Sequence, residues 1–74
     1  MNDKNTTELI ERYYQNGQLS IRVTLVNGKR TGACESYFQN GKLEFKGPCL
    51  NNEPIGFWLD YHYSGKLNTT EFYL

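Results

Sequence analysis

The sequence predicts an all-β fold, a single antiparallel meander of about six strands made of hairpin repeats, its sheet twisted or coiled on itself. Three observations predict it. Glu11 to Cys34 aligns with Glu35 to Trp58 without a gap, a period of 24 residues. Turn dipeptides recur at that period, as Asn16-Gly17 and Asn40-Gly41, with Ser64-Gly65 a weaker third. The segments between them are rich in Tyr, Phe, Val, Ile and Thr, and none has a helical period.

The two full copies share Glu11/Glu35, Tyr13/Tyr37, Gln15/Gln39, Asn16/Asn40, Gly17/Gly41, Leu19/Leu43, Asn27/Asn51 and Gly32/Gly56. A truncated copy from Leu59 keeps Tyr61, Gly65, Lys66 and Leu67 at the same offsets. Asn-Gly tolerates positive φ at both centres of a type I′ turn. Asn27-Gly28 marks a turn at the opposite edge, replaced in the next copy by Asn51-Asn52-Glu53-Pro54. Strands are expected over 9–15, 18–26, 30–39, 42–50, 55–63 and 66–73. The domain spans 9–74 (repeats 11–34, 35–58 and partial 59–74), after a flexible segment, 1–8.

Turn positions set the register, and register sets the faces. Two-residue turns pair Tyr14 with Leu19, Arg12 with Ile21, Val23 with Gly32, Ile21 with Cys34, Phe38 with Leu43, Phe45 with Trp58 and Gly47 with Gly56. One face then collects Ile10, Tyr14, Leu19, Ile21, Val23, Leu25, Cys34, Phe38, Leu43, Phe45, Cys49, Trp58 and Leu67. The other carries Glu11, Tyr13, Ser20, Arg22, Thr24, Glu35, Tyr37, Glu44, Lys46 and Tyr61. Cys34 and Cys49 share a face diagonally, about 7–8 Å apart, near or beyond disulfide reach. Two free thiols are expected.

Seventy-four residues form one small domain, which buries only about 60% of its unfolded surface. Such a domain needs a staple, a metal or a partner. Two cysteines and one histidine without metal-ligand spacing exclude a zinc site and a disulfide scaffold. A partner remains. Eight acidic and eight basic residues balance, which argues against a nucleic-acid or anionic-membrane binder. The polar start and the short apolar runs carry no signal-peptide or membrane-spanning pattern and point to the cytoplasm.

The runs Tyr13-Tyr14-Gln15-Asn16-Gly17-Gln18-Leu19, Tyr37-Phe38-Gln39-Asn40-Gly41-Lys42-Leu43 and Tyr61-His62-Tyr63-Ser64-Gly65-Lys66-Leu67, with Gly56-Phe57-Trp58, resemble the MORN repeat in its bacterial variant form. Gly32-Ala33-Cys34 is a degenerate copy of the Gly-x-Trp element. The resemblance implies a meandering sheet serving as an interaction platform, with no catalytic set and no cofactor. The bacterial variant is common in antitoxin-like components of toxin–antitoxin systems, and relatives elsewhere act as scaffolds.

Residue by residue, no enzyme emerges. His62 stands in the slot of Tyr14 and Phe38, a third ring in a structural column. The carboxylates are dispersed among lysines and arginines, as on a solvated face. The third copy breaks the two-faced rule, putting Phe57, Trp58, Leu59, Tyr61, Tyr63, Phe72 and Tyr73 on both faces beside an edge strand with few charges. Candidate partner-binding residues are therefore Trp58, Phe57, Tyr61, Tyr63, Phe72 and Tyr73, joined by Tyr13 and Tyr37 of the tyrosine column. The expected function is binding another protein and inhibiting or neutralising it, as an antitoxin, immunity protein or phage-encoded inhibitor of a host defence enzyme. The alternative is a homodimerising or scaffolding module. Charge at Trp58 or Phe72 is expected to abolish capture while the sheet survives.

Overall fold

The computed structural model describes residues 6–74; part of the expected flexible segment, residues 1–5, lies outside them. The described chain is all-β: one open seven-stranded antiparallel sheet. Its strands are β1 (Thr7–Tyr13), β2 (Leu19–Val26), β3 (Lys29–Tyr37), β4 (Leu43–Leu50), the two-residue β5 (Glu53–Pro54), β6 (Gly56–Tyr61) and β7 (Leu67–Tyr73). Their order is β1-β2-β3-β4-β6-β7, with β5 pairing β4 alone. Apart from β5 these are the six expected strands, with β1 starting two residues early. The sheet does not coil shut. It spans 49 × 33 × 10 Å between Cα extremes, a single layer.

The turns differ from expectation. Asn16 and Asn40 do not have positive φ; Gly17 (+88°) and Gly41 (+90°) do. The Gly17 amide donates to Tyr14 O (2.9 Å) and the Tyr14 amide to Gln18 O (2.8 Å), and the pattern repeats at Phe38/Gly41/Lys42 and His62/Gly65/Lys66. Each is a three-residue loop, a type I turn closed by a left-handed glycine, and not a type I′ turn. Tyr14 therefore faces Gln18, and Tyr13 pairs with Leu19, Tyr37 with Leu43 and Tyr61 with Leu67. The expected Tyr14–Leu19 and Phe38–Leu43 pairs are corrected accordingly. The loop leaves one extra residue per copy, at Ser20, Glu44 and Asn68, so a β-bulge recurs at the 24-residue period. Asn27-Gly28 (+53°, +81°) and Asn51-Asn52 (+50°, +74°) are the true type I′ turns.

A second bulge follows each of these turns. Leu25 pairs with Arg30, but Val23 pairs with Cys34 and Ile21 with Ser36. Cys49 pairs with Pro54, but Phe45 pairs with Asp60. The expected Val23–Gly32, Ile21–Cys34, Phe45–Trp58 and Gly47–Gly56 pairs are each displaced by two residues. Gly32 (+103°) and Gly56 (+66°) take up the slack in a conformation other residues adopt only with strain. A shift of two leaves every side chain on its face, so Ile10, Ile21, Val23, Leu25, Cys34, Phe45, Cys49 and Trp58 keep the apolar face. The one-residue bulge instead pairs Leu19, Leu43 and Leu67, expected there, with Tyr13, Tyr37 and Tyr61 of the polar face.

That face holds the core. Val23, Cys34 and Cys49 are buried, with Ile10, Ile21, Leu25 and Trp58 packed against them. Trp58 lies flat over Gly47, where an added Cβ would fall inside the indole. Its N–H donates to Pro48 O (2.9 Å) and Ile55 O (3.2 Å). Ser36, the buried polar side chain, donates to Glu44 Oε1 (2.9 Å). Glu44 was expected on the polar face; as the bulged residue beside Phe45 it reaches the apolar one.

The copies are stitched by their turns. Asn16 Oδ1 accepts from the Gln18 amide (2.9 Å) while its Nδ2 donates to Gln39 O in the next copy (3.1 Å). Asn40 repeats both bonds, to the Lys42 amide (2.9 Å) and Tyr63 O (2.9 Å). Asn40→Asp keeps the first and loses the second. We expect a loss of about 0.5–1.5 kcal/mol, read as a lower urea midpoint at unchanged slope.

Candidate interaction surface

The polar face begins as a row of alternating charge. Glu11 and Arg22 are cross-strand partners, as are Arg22 and Glu35, and Glu35 and Lys46. Arg22 Nε lies 2.9 Å from Glu11 Oε2, and its Nη1 lies 3.7 Å from Glu35 Oε1. These pairs are open to water and contribute little to stability. The next residue in the row is Leu59, the partner of Lys46, and then Thr70. Positions 11, 35 and 59 are equivalent in the repeat, so the third copy has leucine where the first two have glutamate.

The tyrosine column follows the same change. Tyr13 donates to Glu11 (3.1 Å) and Tyr37 to Glu35 (2.9 Å), each two residues back on its own strand. Tyr61 has Leu59 at that position. Tyr13's pKa is raised first by its bond to Glu11; Tyr37's is raised first by burial and then by Glu35. Tyr73 is raised by its bond to Glu71. Burial, with the Cys49 contact second, pushes the Cys34 thiol up to about 12. Each group is harder to deprotonate folded than unfolded. Their contribution to stability is therefore complete below the unfolded values, about 9 for the thiol and 10 for the tyrosines, and is lost as pH rises through the folded ones. Melting temperature should hold level through neutral pH and fall above pH ~9, with Glu35→Gln weakening the part due to Tyr37.

Beside Leu59 the polar face turns apolar. Phe57 and Phe72 are cross-strand partners with ring centroids 4.7 Å apart, and both are more than half exposed. Phe57 and Leu59 continue into a shallow groove with Ala33 and Pro48, which Glu35 and Lys46 also line. Monomeric surfaces rarely keep such contiguous apolar area without a use for it.

The eight predicted partner-binding residues therefore do not form one site. Phe57 and Phe72 sit together at the centre of this patch. Tyr13 and Tyr37 belong to the same face but lie along its charged half, tied to their glutamates. Trp58 and Tyr73 are on the opposite face, rings 6.3 Å apart. The bonds and Gly47 contact of Trp58 make it part of the fold, which corrects the expectation that charge at Trp58 would spare the sheet. Tyr61 ends β6, half-buried, and Tyr63 sits in the last turn with its ring edge-on to Phe38 (5.2 Å). His62, expected as a third ring in a column, is exposed, whereas Tyr14 bonds to Tyr37 O (2.6 Å) and Phe38 packs against Tyr63. Leu59, Pro48 and Ala33 complete the patch. Leu59 could have been added from the sequence, since it interrupts the glutamate series; Pro48 and Ala33 needed the register.

The repeat copies and their turn ladder are now matched by a family model, that of the MORN repeat variant, over residues 9–27 and 30–51. The chain belongs to the MORN repeat variant family. The match covers more than half of its length and stops before the third copy. No curated protein and no solved structure matches the chain. MORN repeats are generally interaction modules and the family is not a catalytic one. Among the described residues no cluster of three or more His, Cys, Asp or Glu is placed to hold a metal ion.

Proposed function

We propose that this MORN repeat protein binds one other protein through the Phe57–Leu59–Phe72 face of its third copy and thereby inhibits or neutralises it, in the manner of an antitoxin, immunity protein or phage-encoded inhibitor. The observation that carries the reading is the replacement of the Glu11/Glu35 position by Leu59, beside the exposed Phe57–Phe72 pair. Two copies keep that face charged and solvated; the third strips it of charge. Aromatic anchors grouped in this way are what protein interfaces use. A single sheet layer of this kind also occludes a partner's surface without requiring chemistry of its own.

The test is a tagged pull-down from the native host with mass spectrometry, comparing the wild-type chain with Phe57→Glu. A protein captured by the first and lost by the second supports the reading. Identical capture by both overturns it.

A second reading is self-association. All seven residues of β7 are exposed, and the strand is the sheet's C-terminal edge with Glu71 its one charge, the kind of edge that pairs with another chain. Light scattering separates the two: a dimer that persists in Phe57→Glu favours edge pairing.

A further inference from the structure

The sequence places Cys34 and Cys49 diagonally, near or beyond disulfide reach, but the structure brings their thiols together. Cys34 pairs with Gly47 and Cys49 with Gly32, so each thiol faces a residue with no side chain. The thiols lean across that space until Cys34 Sγ lies 3.0 Å from Cys49 Sγ. Both are buried and free of a disulfide bond. Cys49 also lines an open groove on the apolar face with Phe45, Trp58 and Tyr73, giving a small molecule a way in.

We propose that Cys34 and Cys49 are a covalent modification site, an intramolecular disulfide that staples β3 to β4 and is closed by a small-molecule disulfide such as oxidised glutathione. The Cys49 thiolate attacks one glutathione sulfur, breaking that S–S bond and releasing one glutathione thiolate. The Cys34 thiolate then attacks the Cys49 sulfur of the mixed disulfide and expels the second glutathione. The protons of the two cysteines pass through water to the two departing thiolates. The cysteines are oxidised and one glutathione disulfide is reduced to two thiols. Burial keeps the Cys34 thiol protonated and the closing step slow, so the site answers the standing redox state of its surroundings and not brief pulses of oxidant. A reducing cytoplasm leaves the pair open.

Closure fits what this fold lacks. The buried set of Val23, Cys34 and Cys49 is small, and a crosslink over a loop of this length restricts the unfolded chain substantially. By linkage, the fold must favour the disulfide by the factor by which the disulfide favours the fold.

The experiment equilibrates the full chain with a glutathione redox buffer and analyses acid-quenched samples by intact mass. The expected result is the loss of two hydrogens with no glutathione retained, a monomer, and a melting temperature higher by roughly 10–20 °C. Repeating the equilibration in urea should lower the disulfide's equilibrium constant on the order of 100-fold. Cys34→Ser should stop at a Cys49–glutathione adduct with no gain in melting temperature. Stable adducts on the wild-type chain, intermolecular dimers, no reaction, or a disulfide equally favoured in urea would each overturn the proposal.

Discussion

Gly47→Ala should destabilise the sheet by about 1–3 kcal/mol, the range for forcing an extra carbon into packed space. The reason is local. Gly47 is the floor on which Trp58 rests, and a Cβ there would occupy the indole. The ring cannot swing away freely, because its N–H is bonded to Pro48 O and Ile55 O on either side of the type I′ turn. Lifting it would break those bonds and uncover Cys49. In a domain this small the loss is a large share of the total stability, and melting temperature should fall by roughly 5–20 °C. Trp58→Ala should also destabilise. The double variant Gly47→Ala/Trp58→Ala should be less destabilised than the two singles sum to, since the clash exists only when both side chains are present. Strict additivity in urea melts would show that Gly47 and Trp58 do not pack as described.

The second large effect is on binding. Phe72→Glu should weaken partner capture at least tenfold, with affinity read by titration calorimetry once the partner is in hand. Phe72 is more than half exposed and contacts Phe57 on the open face, so circular dichroism should still report the sheet. Trp58→Glu should behave differently, losing capture and fold together. That contrast separates an interface residue from a structural one. A Phe72→Glu chain that binds as well as the wild type would remove the C-terminal patch from the account.

Much of this was legible in the sequence, and the misreadings have identifiable causes. The period and the alternation of apolar residues gave the strands and the faces, because a sheet side chain can point only one of two ways. Asn-Gly misled at residues 16–17 and 40–41 because the pair suits two turns: both centres of type I′, or the last helical-like residue and left-handed glycine of a three-residue loop. The extra residue appears as the bulges at Ser20, Glu44 and Asn68. Gly32 and Gly56 recur at the same repeat position, but nothing in the sequence said that each would absorb two residues. Trp58 looked like an interface anchor because it falls among the aromatics that break the two-faced rule near the third copy. Its true neighbour, Gly47, was hidden by the two-residue shift. The thiol contact escaped for another reason: backbone register gives the diagonal spacing, and side-chain rotamers closed it.

The proposed partner docks on the Phe57–Leu59–Phe72 face of the third copy. Hydrogen exchange of the chain, alone and bound to the captured protein, tests this most directly. New protection in β6 and β7, and in β3 near Ala33, is the predicted result. Protection confined to β1 and β2, with β6 and β7 exchanging as in the free chain, would contradict it.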